Sequence, residues 1–457
     1  MIAALARLLI ALLGVTALAG CAPSSAQSPS LAASPIAGPT AVSPRPGSFV
    51  LVGRVVTMDE PRVTEALLIE DGMVTAIGTR DEVVALAGDQ VPVVDIGQNV
   101  AYPGFIDAHA HWIGDREYYD IASAEDAMEV AVSRGWTSIS EQWVNPERLV
   151  ELESLAATDA LRLRVDAYLA LNFGNEFFGD WYDSREPGPV DDYLRVRGLK
   201  IHLDDGGGNQ VLWEPADLSA TIGRAHEAGW QVSVHAMSAA AQEVVLDAFE
   251  AAIGPTGPNP LHHRIEHATQ VSDAQLARLV AMDIATVIHL DGAADWLLYD
   301  EFLAEVDRDD ASEGIGWIAR WRDFVDAGLH VASASDAPWT FSESGLTDDM
   351  GRPVDQIAAG MDGRTREGPG TSPWLRDQML TAAQGLRAVT LDAAWALGDE
   401  ARRGHLAPGT LGDVTILSGD VTTATPDEIR AMTVIATIVD GIPAYCAESA
   451  ICSRLED

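Results

Sequence analysis

The stretch Ala101-Tyr-Pro-Gly-Phe-Ile-Asp-Ala-His-Ala-His-Trp112 contains a turn at Pro103-Gly104, then a short apolar strand that ends in two histidines. Residues two apart in a strand face the same way, so His109 and His111 project together from the strand end. Two imidazoles with the same aim are ligands suited to a zinc-like metal. The motif also fits two solvated loop histidines, and the rest of the chain must decide between these interpretations.

The composition is ordinary for a globular protein, with 47% hydrophobic and 21% charged residues. A chain of 457 residues is long enough for two or more structural units. The formal net charge is −40. Because phosphates need Lys and Arg partners, this charge argues against nucleic-acid binding.

The chain contains a single lysine, Lys200, whereas its other cationic side chains are arginines or histidines. Arginine cannot be deprotonated or readily modified, so one retained lysine indicates a position that needs an amine. Chance survival under a high-arginine codon bias is the alternative.

Residues 1–20 combine Arg7 with an apolar run and small residues, which is the pattern of a secretory signal peptide. Leu18-Ala-Gly-Cys21 resembles a bacterial lipoprotein box, in which Cys21 is lipidated and becomes the first mature residue. An uncleaved membrane anchor is the alternative, although the apolar run is short for a spanning helix. We therefore expect an exported lipoprotein, anchored to a membrane on the periplasmic side or at the cell surface.

Residues 21–47 are rich in Ser, Pro and Ala and predict a flexible tether. The two remaining cysteines, Cys446 and Cys452, lie close together near the C-terminus. Outside the cytoplasm we expect them to form a disulfide. A cysteine-based metal site is the weaker alternative, because no further Cys or His accompanies them.

The two ends of the remaining chain share an alternating, β-rich pattern. Asp71-Gly72 predicts a hairpin between two apolar runs in the N-terminal part, residues 48–103. Similar runs return in residues 403–457, which also contain the cysteine loop. We expect both parts to pair into one small β-sandwich domain.

Between these parts, over residues 104–402, apolar runs alternate with helical patterns such as Pro215–Gly229. The eight runs are Gly104–Ala108, Gly135–Ser140, Leu161–Leu169, Gly198–Leu203, Trp230–Val234, His263–Glu266, Ile284–His289 and Leu329–Ser333. Eight strands alternating with helices predict an α/β fold, a (β/α)8 TIM-like barrel.

Catalytic groups of such barrels lie at the carboxyl ends of the strands. The candidates at those ends are His109 and His111 on run one, Lys200 on run four, His235 on run five, His267 on run six, His289 on run seven and Asp336 after run eight. A lone histidine at a strand end is more often a packing residue. Their joint placement indicates a metal site.

These residues resemble the amidohydrolase superfamily, whose order is His-x-His on strand one, a carboxylated lysine on strand four, His on strands five and six, and Asp on strand eight. The segments that look most like its amidohydrolase 3 (YtcJ-like) branch are Pro103–His111, Ser233–Ala236, Arg264–Ala268 and Ser335–Pro338. Gly412 stands where the branch's closing Gly-x-x-Ala-Asp strand usually has Ala. The resemblance covers about residues 48–445.

The resemblance implies two divalent metals, which we expect to be Zn²⁺, sharing a hydroxide that cleaves the C–N bond of an amide or cyclic amide. The implied roles are His109, His111 and Asp336 on one ion, His235 and His267 on the other, carboxylated Lys200 as the bridge, and Asp336 also as catalytic base. His289 would hold the substrate carbonyl, with packing as the alternative role. Two other functions stay open: lactone or ester hydrolysis at the same metals, and a non-catalytic surface lipoprotein that keeps the barrel for binding.

Overall fold

The structure is a computed structural model that describes residues 47–205, 210–291, 317–339, 351–364 and 375–455. The predicted signal peptide, the lipidation site Cys21 and the tether up to residue 46 lie outside the described residues. Within the described ranges, no helix has both the length and the apolar character needed to cross a membrane.

Eight parallel strands form the central sheet, and each overlaps one of the predicted runs. They are β5 (Phe105–Ala110), β6 (Trp136–Val144), β7 (Arg164–Ala170), β11 (Leu194–His202), β12 (Gln231–Ala236), β13 (Arg264–His267), β14 (Ala285–Ile288) and β15 (Val331–Ser333). Each strand pairs with the next in this order. The short strands β8 (Asn172–Phe173) and β9 (Glu176–Phe177) form a hairpin after β7, and β10 (Gly188–Pro189) pairs with the start of β11.

Hydrogen bonds beyond the ends of β15 and β5 close this sheet into a barrel. The backbone N–H of Asp336 donates to the carbonyl of His109 at 2.9 Å, and His111 N–H donates to the carbonyl of Ala337 at 2.7 Å. The backbone N–H of Ser335 also donates to the buried carboxylate of Asp107 at 2.8 Å. The predicted barrel is therefore confirmed.

Helices connect the strands and cover the barrel. Their bounds are Ala124–Ser133, Pro146–Ala157, Pro215–Glu227, Ala239–Ile253, Asp273–Met282, Trp321–Asp326, Pro353–Asp362, Ala382–Ala388 and Leu391–Ala396. Several begin at the residues that favour helix starts: Ser272, for example, accepts from the N–H of Gln275 while the Gln275 side chain accepts from Ser272 N–H. The helix Leu391–Ala396 lies at the amino end of the barrel, where the side chain of Gln231 donates to the carbonyl of Ala396.

The predicted small β domain is one seven-stranded sheet made from both ends of the described chain. Its order is β18 (Ile442–Cys446), β17 (Val434–Val439), β16 (Val414–Leu417), β4 (Val93–Pro103), β1 (Phe49–Val56), β2 (Val63–Glu70) and β3 (Met73–Gly78). The predicted hairpin at Asp71-Gly72 joins β2 to β3. The N–H of Val74 in β3 donates to the carbonyl of Thr410, just before β16, so the sheet curls around one apolar cluster.

Three further helices belong to this outer region: Arg80–Ala87, Pro426–Arg430 and Ser449–Leu455. Cys446 and Cys452 are joined by a disulfide that connects β18 to the last of these helices, with the two Cα atoms 5.7 Å apart.

Candidate metal centre

Three ligand atoms meet between the end of β5 and the segment that follows β15. Nε2 of His109 and Nε2 of His111 lie 3.3 Å apart. Each nitrogen lies 3.4 Å from Oδ1 of Asp336. Donors bound at about 2.0–2.1 Å to one tetrahedral ion are separated by about 3.3–3.4 Å. The triangle therefore has the size of one face of a tetrahedral metal site.

A buried carboxylate orients His109. Nδ1 of His109 lies 2.6 Å from the carboxylate of Glu266, and Arg264 holds the same carboxylate through Nε at 2.5 Å and Nη2 at 2.8 Å. An imidazole nitrogen facing a carboxylate carries the proton, which leaves a lone pair on the other nitrogen. Nε2 of His109 is therefore the atom available to a metal.

A backbone carbonyl orients His111 in the same way. Its Nδ1 lies 3.2 Å from the carbonyl oxygen of Gln142, so Nδ1 carries the proton and Nε2 keeps the lone pair. The side chain of Gln142 accepts from Ser233 Oγ at 3.0 Å, and Ser233 Oγ also lies 2.8 Å from Glu266. One hydrogen-bonded network therefore positions both histidines.

The electrostatics of the triangle favour a positive charge at its centre. Burial would raise the pKa of Asp336, but the neighbouring imidazoles of His109, His111 and His289 outweigh burial and hold that pKa below its usual range. Burial opposes a charged His111, yet the carboxylates of Asp336 and Asp115 raise the pKa of its imidazole. Lone pairs of two nitrogens and a carboxylate that face each other repel unless a cation lies between them. The donor set therefore fits a divalent metal.

Lys200 is fully buried beside this cluster. Its Nζ has no hydrogen-bond partner among the described residues, and it lies 5.7 Å from the centre of the Trp143 ring. Burial lowers the pKa of Lys200 to about 8, although the nearby carboxylates of Glu266 and Asp336 oppose that shift. Burying an amine without a hydrogen-bond partner destabilises the folded protein. The Lys200 amine therefore fits a site in which a bound metal or ligand provides its partner.

The remaining predicted ligands form a row of imidazoles next to the triangle. The ring of His267 lies 5.1 Å from that of His109, 4.3 Å from that of His235 and 4.7 Å from that of His289, between ring centres. His109, His267 and His289 each offer a nitrogen within 4.8 Å of the others. The structure therefore brings all the predicted metal residues to one end of the barrel, and it also brings His289 within ligand range.

Two of these imidazoles have a defined orientation. Nδ1 of His289 lies 2.9 Å from the carbonyl oxygen of Ala334, and its Nε2 has no partner among the described residues. Nε2 of His235 lies 3.1 Å from Asp204, whose other oxygen accepts from the backbone N–H groups of Met237 and Ser238. Nε2 of His289 is therefore the nitrogen free to contact a metal or a substrate. Substrate binding by His289 stays a prediction.

Two of the candidate ligands have an uncommon backbone conformation. His267 has a φ of 71° and Asp336 a φ of 49°. Non-glycine residues seldom adopt this left-handed region, and those that do cluster at functional sites.

Sequence reasoning missed the residues that orient the histidines: Glu266, Ser233 and Gln142. A signal for Glu266 exists, because a carboxylate inside the predicted barrel strand His263–Glu266 must be paired once it is buried. The contact of Glu266 with His109, which lies in another strand, cannot be seen in the order of residues along the chain.

The protein is a parallel barrel with a histidine–aspartate triangle at the carboxyl ends of its strands. This arrangement places it in the class of barrels that are suited to hold a divalent metal. The chain belongs to the amidohydrolase family, whose model matches residues 115–445.

Individual proteins of known activity or structure are also similar to this chain. The chain is 26% identical to N-substituted formamide deformylase of Arthrobacter pascens over 264 aligned residues. This alignment covers 58% of the chain and 44% of the deformylase. The chain thus spans less than half the length of that relative. A solved metal-dependent hydrolase from Pyrococcus horikoshii OT3 is similar over 83% of this chain and 99% of its own, with a TM-score of 0.66 and 18% identity. E. coli guanine deaminase is similar over 88% of this chain and 99% of its own, with a TM-score of 0.60 and 14% identity.

Proposed function

We propose that the protein is a metal-dependent amidohydrolase that cleaves the C–N bond of an amide or cyclic amide. The observation that carries this proposal is the triangle of His109, His111 and Asp336, whose donor atoms are 3.3–3.4 Å apart. Family membership and the deformylase relative support the same class of reaction.

Metals bound here would acidify a water molecule and polarise the substrate carbonyl. Asp336 accepts the proton of the attacking water and passes it to the leaving nitrogen, so a C–O bond forms as the C–N bond breaks. His109 and His111 hold their Nε2 lone pairs in place because Glu266 and the Gln142 carbonyl fix the opposite nitrogens.

Lys200 is our candidate for a carboxylated bridge between two Zn²⁺ ions, with His235 and His267 on the second ion. An amine with a pKa of about 8 is neutral in about a tenth of molecules at pH 7, and the neutral amine is the form that reacts with CO₂. The carbamate would give the buried Nζ position an anionic group able to contact two cations.

Metal analysis combined with a substrate screen tests the proposal. The purified protein is expected to hold metal and to hydrolyse at least one compound from a panel of N-acyl amino acids, dipeptides, formamides, cyclic imides and matched lactones. Asp336→Asn should lower turnover by orders of magnitude, whereas the exposed control Asp89→Asn should not. A metal-free protein with full activity contradicts the proposal, and activity on lactones alone assigns the site to ester chemistry.

Lys200 has its own test. Lys200→Arg should lose the second metal, because a guanidinium cannot form a carbamate. Lys200→Ala should regain metal and activity when short carboxylic acids are added. Intact mass under native conditions should show one CO₂ adduct, and an unmodified amine with two metals bound rules out the bridge.

We also propose that the mature protein is exported and lipidated at Cys21. The support is the pattern Leu18-Ala-Gly-Cys21 followed by the tether. Cell fractionation of the wild type and Cys21→Ser tests this: the wild type should be in membranes, and the variant should be released or remain unprocessed. A wild type found soluble in the cytoplasm refutes it.

A further inference from the structure

An aromatic surface lies beside the metal centre on three neighbouring strand ends. Trp143 is near the end of β6, Phe173 follows β7, and His202 ends β11. The ring centre of Trp143 lies 4.8 Å from that of Phe173 and 5.2 Å from that of His202. We call these three residues the aromatic wall.

The aromatic wall contacts the candidate ligands directly. The Trp143 ring centre lies 4.7 Å from that of His111, and Nζ of Lys200 is 5.7 Å from the Trp143 ring centre. A substrate whose scissile bond reaches the metal triangle therefore has its adjoining group next to Trp143.

Trp143 has an uncommon backbone conformation and a side-chain donor that is unpaired within the described part of the chain. Its φ is 55°, a region that a bulky residue adopts only where its surroundings impose it. The indole Nε1 is buried and has no hydrogen-bond partner among the described residues. Strain and an unpaired donor in the same residue are typical of a ligand-contacting position.

The outer end of the wall is anchored but open to solvent. Phe173 is 45% exposed. The neighbouring Asn172 side chain donates to the carbonyl of His202 and accepts from its N–H, at 2.8 and 2.9 Å. Gly174 N–H also donates to Nδ1 of His202 at 3.0 Å. The exposed ring therefore sits on a fixed hairpin rather than on a free loop.

We propose that the aromatic wall binds an aromatic group of the substrate next to the bond that is cleaved, so that the preferred substrates are aryl-substituted amides. This inference rests on the proposed hydrolase activity. The three rings of the wall offer aromatic faces and edges to such a group. Stacked and edge-on aromatic pairs are favoured beyond their buried area.

Binding of two matched hydroxamates to the zinc-loaded protein tests the wall without any need for turnover. Phenylacetohydroxamic acid and cyclohexylacetohydroxamic acid carry the same metal-binding group and differ in the aromaticity of the ring. Calorimetric titration should show the phenyl compound binding about three- to tenfold more tightly. Trp143→Leu and Phe173→Leu should each reduce that ratio towards one, with zinc content unchanged.

Phe177→Leu is the control, because Phe177 is an exposed aromatic of the same hairpin that packs on Trp213 instead of on the wall. This variant should keep the wild-type ratio. Equal affinities for the two compounds, or no binding of either to a zinc-loaded protein, overturn the inference and leave the metal assignment standing. A protein that holds no zinc contradicts the proposed function itself. If Trp143→Leu does not fold, Phe173→Leu decides alone, since its ring is on the surface.

Discussion

Glu266 is a negative charge enclosed in the barrel, with no exposed surface. Burial alone would raise its pKa, but the ion pair with Arg264 and the contact with His109 outweigh burial and hold that pKa well below its usual range. The carboxylate is therefore ionised and accepts the Nδ1 proton of His109. A ligand histidine fixed in this way keeps the correct tautomer and ring orientation for a metal.

Glu266→Gln should therefore weaken metal binding without removing any ligand atom. The amide keeps the size of the side chain but loses the charge that fixes His109. We expect metal affinity to fall by about 10- to 100-fold, measured by competition with a chelator. The exposed Glu243→Gln is the control for the same chemical change and should retain wild-type affinity. Unchanged affinity in Glu266→Gln would show that Glu266 does not position His109.

The convergence of the candidate ligands could be predicted from the sequence because most of them lie at or just after the end of a predicted strand, and strand ends of a barrel converge. His109, His111 and Asp336 are assembled as that reasoning requires. The orienting contacts of Glu266 and Gln142 could not be predicted, because they join strands whose side chains meet only in the closed barrel. The approach of His289 to His109 and His267 could not be predicted for the same reason.

At the scale of elements, all eight barrel strands could be predicted from apolar runs, and their bounds differ from the expectations by a few residues. Buried parallel strands are nearly continuous in apolar residues, which makes them visible in a sequence. The hairpin of β8 and β9 could not be predicted in this way, because its conformation depends on hydrogen bonds to His202 in another strand.

A structural histidine, His263, lies immediately before β13. Nδ1 of His263 accepts from the N–H of Val232, and its Nε2 lies 3.0 Å from Nδ1 of His226. Burial, reinforced by His226 and Arg197, lowers the pKa of His263 to about 3. The unfolded chain, with a pKa near 6.5, therefore binds a proton that the folded protein excludes. The contribution of His263 to stability is complete above pH 6.5 and is lost as the pH falls towards 3.

His263→Asn tests this linkage, since the asparagine carbonyl can still accept from Val232. Between pH 6.5 and 5.5 the neutral His263 should account for about 1 kcal/mol of the loss in unfolding free energy. We expect the variant to lose that much less than the wild type over the same interval, measured by urea unfolding at both pH values. Equal losses in the two proteins would show that His263 is protonated while folded.

At the scale of the whole molecule, a buried ion pair joins the barrel to the small β domain. Arg164 at the start of β7 donates to both oxygens of Asp413, next to β16, at 2.7 and 2.9 Å. Both side chains are almost completely buried. Removing one partner of such a pair leaves an uncompensated charge away from water.

Arg164→Met should accordingly destabilise the protein by about 3–5 kcal/mol in urea unfolding. The double variant Arg164→Met with Asp413→Asn should lose less than the sum of the two single losses, because Asp413 is then no longer an unpaired buried charge. Arg80→Met is the matched control: its pair with Asp95 is largely exposed, and about 1 kcal/mol or less is expected. A similar effect at both sites would show that the buried pair does not hold the two parts together.

The barrel closes between β5 and β15, and the metal triangle spans that same junction. Ser335 and Asp107, which meet there, are 228 positions apart in the chain. Under the proposed assignment, an ion held by His109, His111 and Asp336 is a reversible cross-link between the first and last strands of the barrel. Closing so long a loop costs chain entropy, and a ligand that binds only the closed form repays that cost through mass action. Chelation is therefore expected to destabilise the junction between β5 and β15 as well as to stop the proposed hydrolysis.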